Sequence, residues 1–239
     1  VLVVIKLLIK KLKISRRMSY LIAIGSTVCG TTAIMATGPI IKAKKSEIAY
    51  AVANMTVFGI IAMFFYPYFA NYYFDGDPLF SGLFLGTSIH ETAQVAAAGL
   101  IYDQQFNSPE TLNIATVTKL IRNTFLIIMI PLFAFLYNRG KKKEKDYSIL
   151  NIFPYFVLGF IGMIIVRNLG DQFFPLGNSN HEIWVRIIGY LKTLATVFLT
   201  MAMAAVGISI NLGELKSMGY KPFVVGLIAA VTVGIISLI

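Results

Sequence analysis

An all-α, polytopic membrane bundle is the fold class this sequence predicts, and three features predict it. Apolar residues make up 57% of the 239-residue chain and charged residues 13%, with a mean hydropathy of +0.75; no soluble domain of this length has an interior large enough to hide that much apolar surface. Apolar stretches long enough to cross a bilayer recur from end to end, separated by short connectors. The Lys and Arg residues behind the net charge of +10 cluster between those stretches. That distribution is what the positive-inside bias produces, so the basic balance points to a membrane and not to nucleic acid. A lone cysteine, Cys29, excludes an internal disulfide.

Taken in order, the chain opens on Val1–Ile9, an apolar run with neither the basic n-region nor the cleavage site of a signal peptide. It reads as the tail of a helix whose start is missing, so the chain is expected to be a fragment of a longer protein. A basic connector, Lys11–Arg17, follows. Membrane spans are then predicted at about Tyr20–Ile41, Ile48–Tyr72, Gly82–Tyr102, Leu120–Tyr137, Ile149–Val166, Ile187–Ile210 and Pro222–Ile239. Together they form one membrane domain. If each span crosses once, alternate loops divide the basic residues unequally. Lys6, Lys10, Lys11, Lys13, Arg16, Arg17, Arg139, Lys141, Lys142, Lys143, Lys145, Lys216 and Lys221 fall on one side. Lys42, Lys44, Lys45, Lys119, Arg122, Arg167 and Arg186 fall on the other. The richer side is expected to be cytoplasmic, which places Asn138–Ser148 inside and Asp103–Thr118 outside. The Asn71–Ser81 loop fits poorly, because it belongs to the cytoplasmic set and has no basic residue.

The stretch Gly86–Gly99 (GTSIHETAQVAAAG) sets a histidine beside a glutamate near the middle of a span. A charge there costs about 3 kcal/mol, so it needs a partner, a proton or a water-filled cavity. On a continuous helix Thr87, His90, Glu91, Gln94 and Ala98 share one face. His90-Glu91-x-x-Gln94 is half of a zinc-protease signature, but a glutamine stands where the second histidine would be needed, so no metal site is expected. The pattern fits either a neutral Glu91 serving packing or a Glu91 that, with His90, takes up and releases a proton during transport.

Gly25–Pro39 (GSTVCGTTAIMATGP) is unusually rich in Gly, Ser and Thr for a membrane helix, and Met203–Leu212 ends in Gly-Ile-Ser-Ile-Asn. Such texture fits close helix packing. It fits equally a broken span whose freed N–H groups and half-helix dipole hold an anion. Five segments separate the two stretches, so the later one crosses in the opposite sense, the pattern of an inverted-repeat transporter. Residues Gly25, Ser26, Cys29, Gly30, Thr31, Gln94, Gly207, Ser209 and Asn211 are therefore candidates for binding substrate, with His90 and Glu91 for coupling. Lys119 and Arg122, three apart on one helix face at the mouth of a span, either snorkel to headgroups or form a cationic lip that attracts anions. No complete catalytic set is present, so an enzyme is not expected, and no cofactor is implied.

The stretches Gly25–Ala43, Ala51–Pro67, Gly86–Gly99 and Ala202–Pro222 resemble, in order and spacing, the YeiH-type bacterial inner-membrane family. The chain departs from it at Gly38, where many members have an acidic or another small residue, and at Lys192. The resemblance implies a multi-pass protein of the bacterial inner (plasma) membrane that exports sulfate. It also implies a fold similar to sodium/proton antiporters and bile-acid symporters, whose helices break and cross. The expectation is thus a secondary transporter of a sulfate- or sulfonate-like anion, coupled to a proton or another cation. Its partners would be the bilayer, the anion and, in a homodimer, a second copy. The alternatives are an ion channel or a membrane-embedded sensory or enzymatic module.

Overall fold

A computed structural model of the chain describes residues 14–138, 156–175, 180–208 and 219–239. Among these, every regular element is a helix: α1 Arg16–Thr27, α2 Gly30–Ile40, α3 Lys45–Tyr73, α4 Pro78–Ser88, α5 Thr92–Phe106, α6 Pro109–Thr124, α7 Leu126–Asn138, α8 Phe156–Phe173, α9 His181–Ile208 and α10 Lys221–Ile236. Helices α1–α7 and α10 belong to one compact unit, α8 and α9 to another. In the latter, Trp184 of α9 stacks on Phe174 and donates its indole N–H to Asp171 (2.8 Å), which also pairs with Arg167.

The starts of the helices follow local chemistry. Ser15 caps α1 by accepting from Met18 N (3.1 Å), and Asp77 caps α4 by accepting from Leu79 and Phe80 N (2.8 and 2.9 Å). Pro78 and Pro109 open α4 and α6 where no intrahelical donor is missed. The surface is inverted relative to a soluble protein. Ile61, Phe65, Ile121, Ile128 and Phe135 are exposed, while Lys119, Glu91 and His90 are buried. Helix α3 is long and apolar enough to cross a membrane alone, and α6 with α7, bent by 44°, is so as a pair.

The predicted spans Tyr20–Ile41 and Gly82–Tyr102 do not run straight through. Each breaks in the middle, and at each break the chain turns back. Ile34 of α2 packs against Gly25 of α1, and Glu47, at the start of α3, accepts from Ser15 Oγ (2.7 Å) at the start of α1. Helices α1 and α2 are therefore a re-entrant hairpin, open at the beginning of α3. Likewise Tyr102 of α5 lies 3.1 Å from Ser81 Oγ of α4 and donates to Asn71 Oδ1 (3.1 Å) at the end of α3. Helices α4 and α5 form a second hairpin, open at the opposite end. Twenty-one residues of straight helix would have put Ser81 and Tyr102 about 31 Å apart. Helix α6 then runs inward beside α4, with Thr111 at Pro78 and Thr118 against Gly86. Its continuation α7 ends beside α1, where Arg16 donates to Tyr137 O (2.9 Å) and its guanidinium lies 5.2 Å over the Tyr137 ring.

This reversal corrects the division of basic residues. The open ends of α1 and α2, the start of α3 and the end of α7 share one side. Lys42, Lys44 and Lys45 thus join Arg16 and Arg17, and Asn138 leads into the Arg139–Lys145 run of the sequence. The other side carries Asp75, Asp77, Asp103 and Glu110, and no Lys or Arg occurs from Asn71 to Thr118. Lys119 and Arg122 belong to neither side, because they lie inside. The Asn71–Ser81 connector no longer conflicts with the charge rule, and much of the expected Asp103–Thr118 loop is helix α6. In a Cys29→Ser background, an impermeant thiol reagent on intact cells is expected to label cysteines placed at Asp75 and Asn107 and to spare Arg17 and Lys42 until the membrane is opened. Labelling of Lys42 but not Arg17 in intact cells would restore a single crossing.

Candidate functional site

The tips of the two hairpins meet, and the break of each helix has a local cause. Ser26 and Thr27 bond back to Ile22 and Ala23 O (2.8 and 2.6 Å); Thr87 and Ser88 bond back to Leu83 and Phe84 O (2.7 and 2.6 Å). These hydroxyls compete for the carbonyls of the last turn and favour termination. Cys29, Ile89 and Glu91 are then extended. Gly30 N donates to His90 O across the two tips (3.0 Å).

Two helix C-termini now lie inside the protein with carbonyls that lipid cannot satisfy. Helix α6 supplies their donors. Lys119 Nζ donates to Val28, Ile89 and His90 O (3.0, 2.9 and 2.7 Å), so all three of its protons are used. Arg122 donates to Ser26 O (3.1 Å), to Thr27 O (2.8 Å from Nη2, 3.1 Å from Nε) and to Thr87 O. Both cations thereby touch carbonyls from both hairpins and complement the negative ends of α1 and α4. They were expected at a span mouth, as a lip or as snorkelling side chains. Instead Lys119 is 0% exposed and both are bound to backbone, because α6 begins at Pro109 and carries them half a helix further in.

The N-termini of α2 and α5 face the same centre, and Glu91 stands between them. Its Oε1 accepts from Thr31 Oγ1, in the first turn of α2, and from Thr56 Oγ1 of α3 (3.1 Å). Thr56 is the twelfth of the 29 residues of α3, about 5 Å along the axis from the centre of that helix. Gln94 Nε2 donates to Thr56 O (3.2 Å) and Asn123 Nδ2 to Thr92 Oγ1 (3.1 Å). The other ends of these side chains are buried and unpartnered: Glu91 Oε2, Gln94 Oε1 and Asn123 Oδ1, together with His90 Nε2. Small residues permit these close approaches. A Cβ on Gly59 would collide with the Gln94 carboxamide, and one on Gly30 would lie 3.4 Å from Glu91 Cγ.

Among the sequence candidates, Ser26, Cys29, Gly30, Thr31, His90, Glu91, Gln94, Lys119 and Arg122 meet here. Gly25 packs against Ile34 and Met55 at the edge. Thr87 and Ala98 do not share a face with His90 and Glu91, because the helix ends between them. Gly207 lies within α9, in the other unit, while Ser209 and Asn211 fall outside the described residues. Three participants were missed, Thr56, Thr92 and Asn123. Their signal was weak, since Thr and Asn are common in membrane helices. Gly59, one turn from Thr56, was the better clue.

A family model described as Conserved hypothetical protein 698 matches residues 1–226. A membrane protein of Streptococcus agalactiae is 34% identical over 235 residues, covering 98% of this chain and 67% of its own length. The inner membrane proteins YeiH of Salmonella typhi and Escherichia coli are 34% and 32% identical over 222 residues, covering 90% of this chain and 57% of theirs. No solved structure matches.

Proposed function

Because the chain belongs to the Conserved hypothetical protein 698 family, which includes inner membrane proteins of bacteria, we propose that it is a multi-pass inner-membrane transporter. It moves a small oxyanion, sulfate or a sulfonate, outward by alternating access, coupled through Glu91. The observation that carries this reading is the meeting of two re-entrant hairpins, open to opposite sides, at a buried and half-satisfied carboxylate. A ligand at that point is separated from each side by one hairpin.

An inverted repeat supports alternating access, though not the one expected between Gly25–Pro39 and Met203–Leu212. Gly25-Ser-Thr-Val at the first tip answers Gly86-Thr-Ser-Ile at the second, with Thr31 answering Thr92 and Gly38 answering Gly99. The following spans correspond too. Gly38 packs on Ile48 as Gly99 packs on Leu112, and Pro67 in α3 matches Pro131 in α7. Each copy is a hairpin plus a crossing span, and the two copies have opposite sense. At six corresponding positions the second copy is the more polar one. His90, Glu91, Gln94, Lys119, Arg122 and Asn123 stand where the first has Cys29, Gly30, Ala33, Met55, Phe58 and Gly59.

Charge favours an anion. Four helix ends contribute roughly half a charge each, two of either sign, and cancel. Lys119 and Arg122 against Glu91 leave about +1, and a protonated Glu91 leaves about +2, which a divalent oxyanion neutralises. The donors on offer are first-turn N–H groups of α2 and α5, other than Gly30 N, which His90 O takes. A dianion leaving with one proton carries net negative charge outward, and each charge gains about 2.3 kcal/mol per 100 mV of inside-negative potential.

Calorimetric titration of the purified protein with sulfate tests this reading. Affinity is expected to rise as pH falls, by up to about tenfold per unit, and to become flat in Glu91→Gln. Lys119 and Arg122 of α6, His90 of the same hairpin and Cys29 of the facing one are the other ionisable groups at the tips. Flat affinity in the wild type, or tight ligands that are all neutral or cationic, would overturn it.

A further inference from the structure

The partners that a ligand would meet at the hairpin tips are of two kinds, and they are segregated. The first-turn N–H groups of α2 and α5 are donors. The buried side-chain oxygens left over beside them, Glu91 Oε2, Gln94 Oε1 and Asn123 Oδ1, are acceptors. Their other ends are bonded: Glu91 Oε1 accepts from Thr56 Oγ1, Gln94 Nε2 donates to Thr56 O, and Asn123 Nδ2 donates to Thr92 Oγ1. Exchanging oxygen and nitrogen in Gln94 would set an oxygen against the Thr56 carbonyl, so its free atom is the acceptor. Glu91 and Gln94 are 3% and 5% exposed, and Gly59 gives the Gln94 carboxamide its room. A buried acceptor without a donor costs about 1–3 kcal/mol, so a site that keeps three of them is matched to something that donates. A proton on Glu91 serves that carboxylate. The amide oxygens of Gln94 and Asn123 never carry one.

A plain oxyanion offers these amides nothing, because all its atoms are acceptors. We infer that the site takes a small organic oxyacid with its own hydrogen-bond donor, an ammonium or hydroxyl group two or three bonds from the acid group, with Gln94 and Asn123 as the residues that select it. This rests on the anion site proposed above and narrows its ligand. The acid group lies toward the helix N-termini and the donor toward the two amides. Sulfonates are the fitting test series, because the acid end stays ionised at every working pH while the other end is varied.

The experiment compares ethanesulfonate, 2-hydroxyethanesulfonate and 2-aminoethanesulfonate, with sulfate as reference, by calorimetry and thermal shift on the purified chain at one pH, in choline and in sodium buffers. The expected result is that the hydroxy and amino compounds bind about tenfold or more tightly than ethanesulfonate, which corresponds to about 1.4 kcal/mol. In Gln94→Met and Asn123→Leu that ratio should fall toward one. The wild-type series alone decides the matter if either variant fails to fold. Equal binding of all three sulfonates overturns this inference and leaves the anion site standing. Stabilisation by sodium with no preference among the sulfonates assigns the acceptors to a metal cation and likewise overturns it. Failure of every anion to bind would remove the proposed transport reading as well.

Discussion

Replacing Lys119 with methionine is expected to leave little protein that survives extraction in a monodisperse form. The side chain is fully buried, and its three protons are the donors for Val28, Ile89 and His90 O. Methionine fills a similar volume but leaves the Val28 and Ile89 carbonyls unmatched, at about 1–3 kcal/mol each, so at least about 2 kcal/mol in all, and leaves His90 O with Gly30 N alone. The loss also falls on both hairpins at once, since Val28 belongs to one tip and Ile89 and His90 to the other. Arg122, bonded to Ser26 and Thr27 on one side and Thr87 on the other, cannot take over while it holds those groups. Size-exclusion profiles and melting curves after detergent extraction would check this. A Lys119→Met variant as stable as the wild type would show that the tips do not depend on α6 for their cohesion.

The second large effect is functional. Glu91→Gln keeps shape and can still accept from Thr31 and Thr56 through its amide oxygen, so melting behaviour should change little. It cannot change charge. In proteoliposomes, sulfate flux driven by an imposed pH gradient is expected to fall at least about a hundredfold, to a level indistinguishable from empty vesicles. Wild-type flux with unaltered pH dependence in this variant would reduce Glu91 to a packing residue that caps the start of α2.

Much of this was legible in the residues. Composition and apolar run length sufficed for a helical membrane protein, since those quantities respond directly to the solvent the chain must face. His90 and Glu91 stood out because ionisable groups are costly in an apolar run. The break at Ile89–Glu91 was not legible. The periodicity of Gly82–Tyr102 is that of a helix on both sides of the break, and the hydroxyls of Thr87 and Ser88 that end α4 are also common inside membrane helices. Nor could hydropathy tell a segment that crosses from one that turns back, because both lie in the same apolar medium. One clue was available. The Asn71–Ser81 connector lacked the positive charge its assigned side required, and the re-entrant path of Tyr20–Ile41 and Gly82–Tyr102 removes the conflict. Lys119 and Arg122 were found but misplaced, since hydropathy starts the span near Leu120, although Ser108-Pro109-Glu110 is a helix-start pattern that puts them well inside a helix. The repeat relating Gly25–Gly38 to Gly86–Gly99 was readable in principle. Its polar positions differ between copies, which hid it.

Coupling between anion and proton movement can be read in vesicles. Purified protein in tight liposomes, with a pH-sensitive dye and an ionophore to clamp the potential, is given a sulfate gradient and no pH gradient. Proton movement in the direction of the sulfate is expected, saturating with sulfate concentration, abolished by Glu91→Gln and reversed when the gradient is reversed. Sulfate flux without any proton movement, or flux that rises linearly without saturation as through a channel, would contradict it.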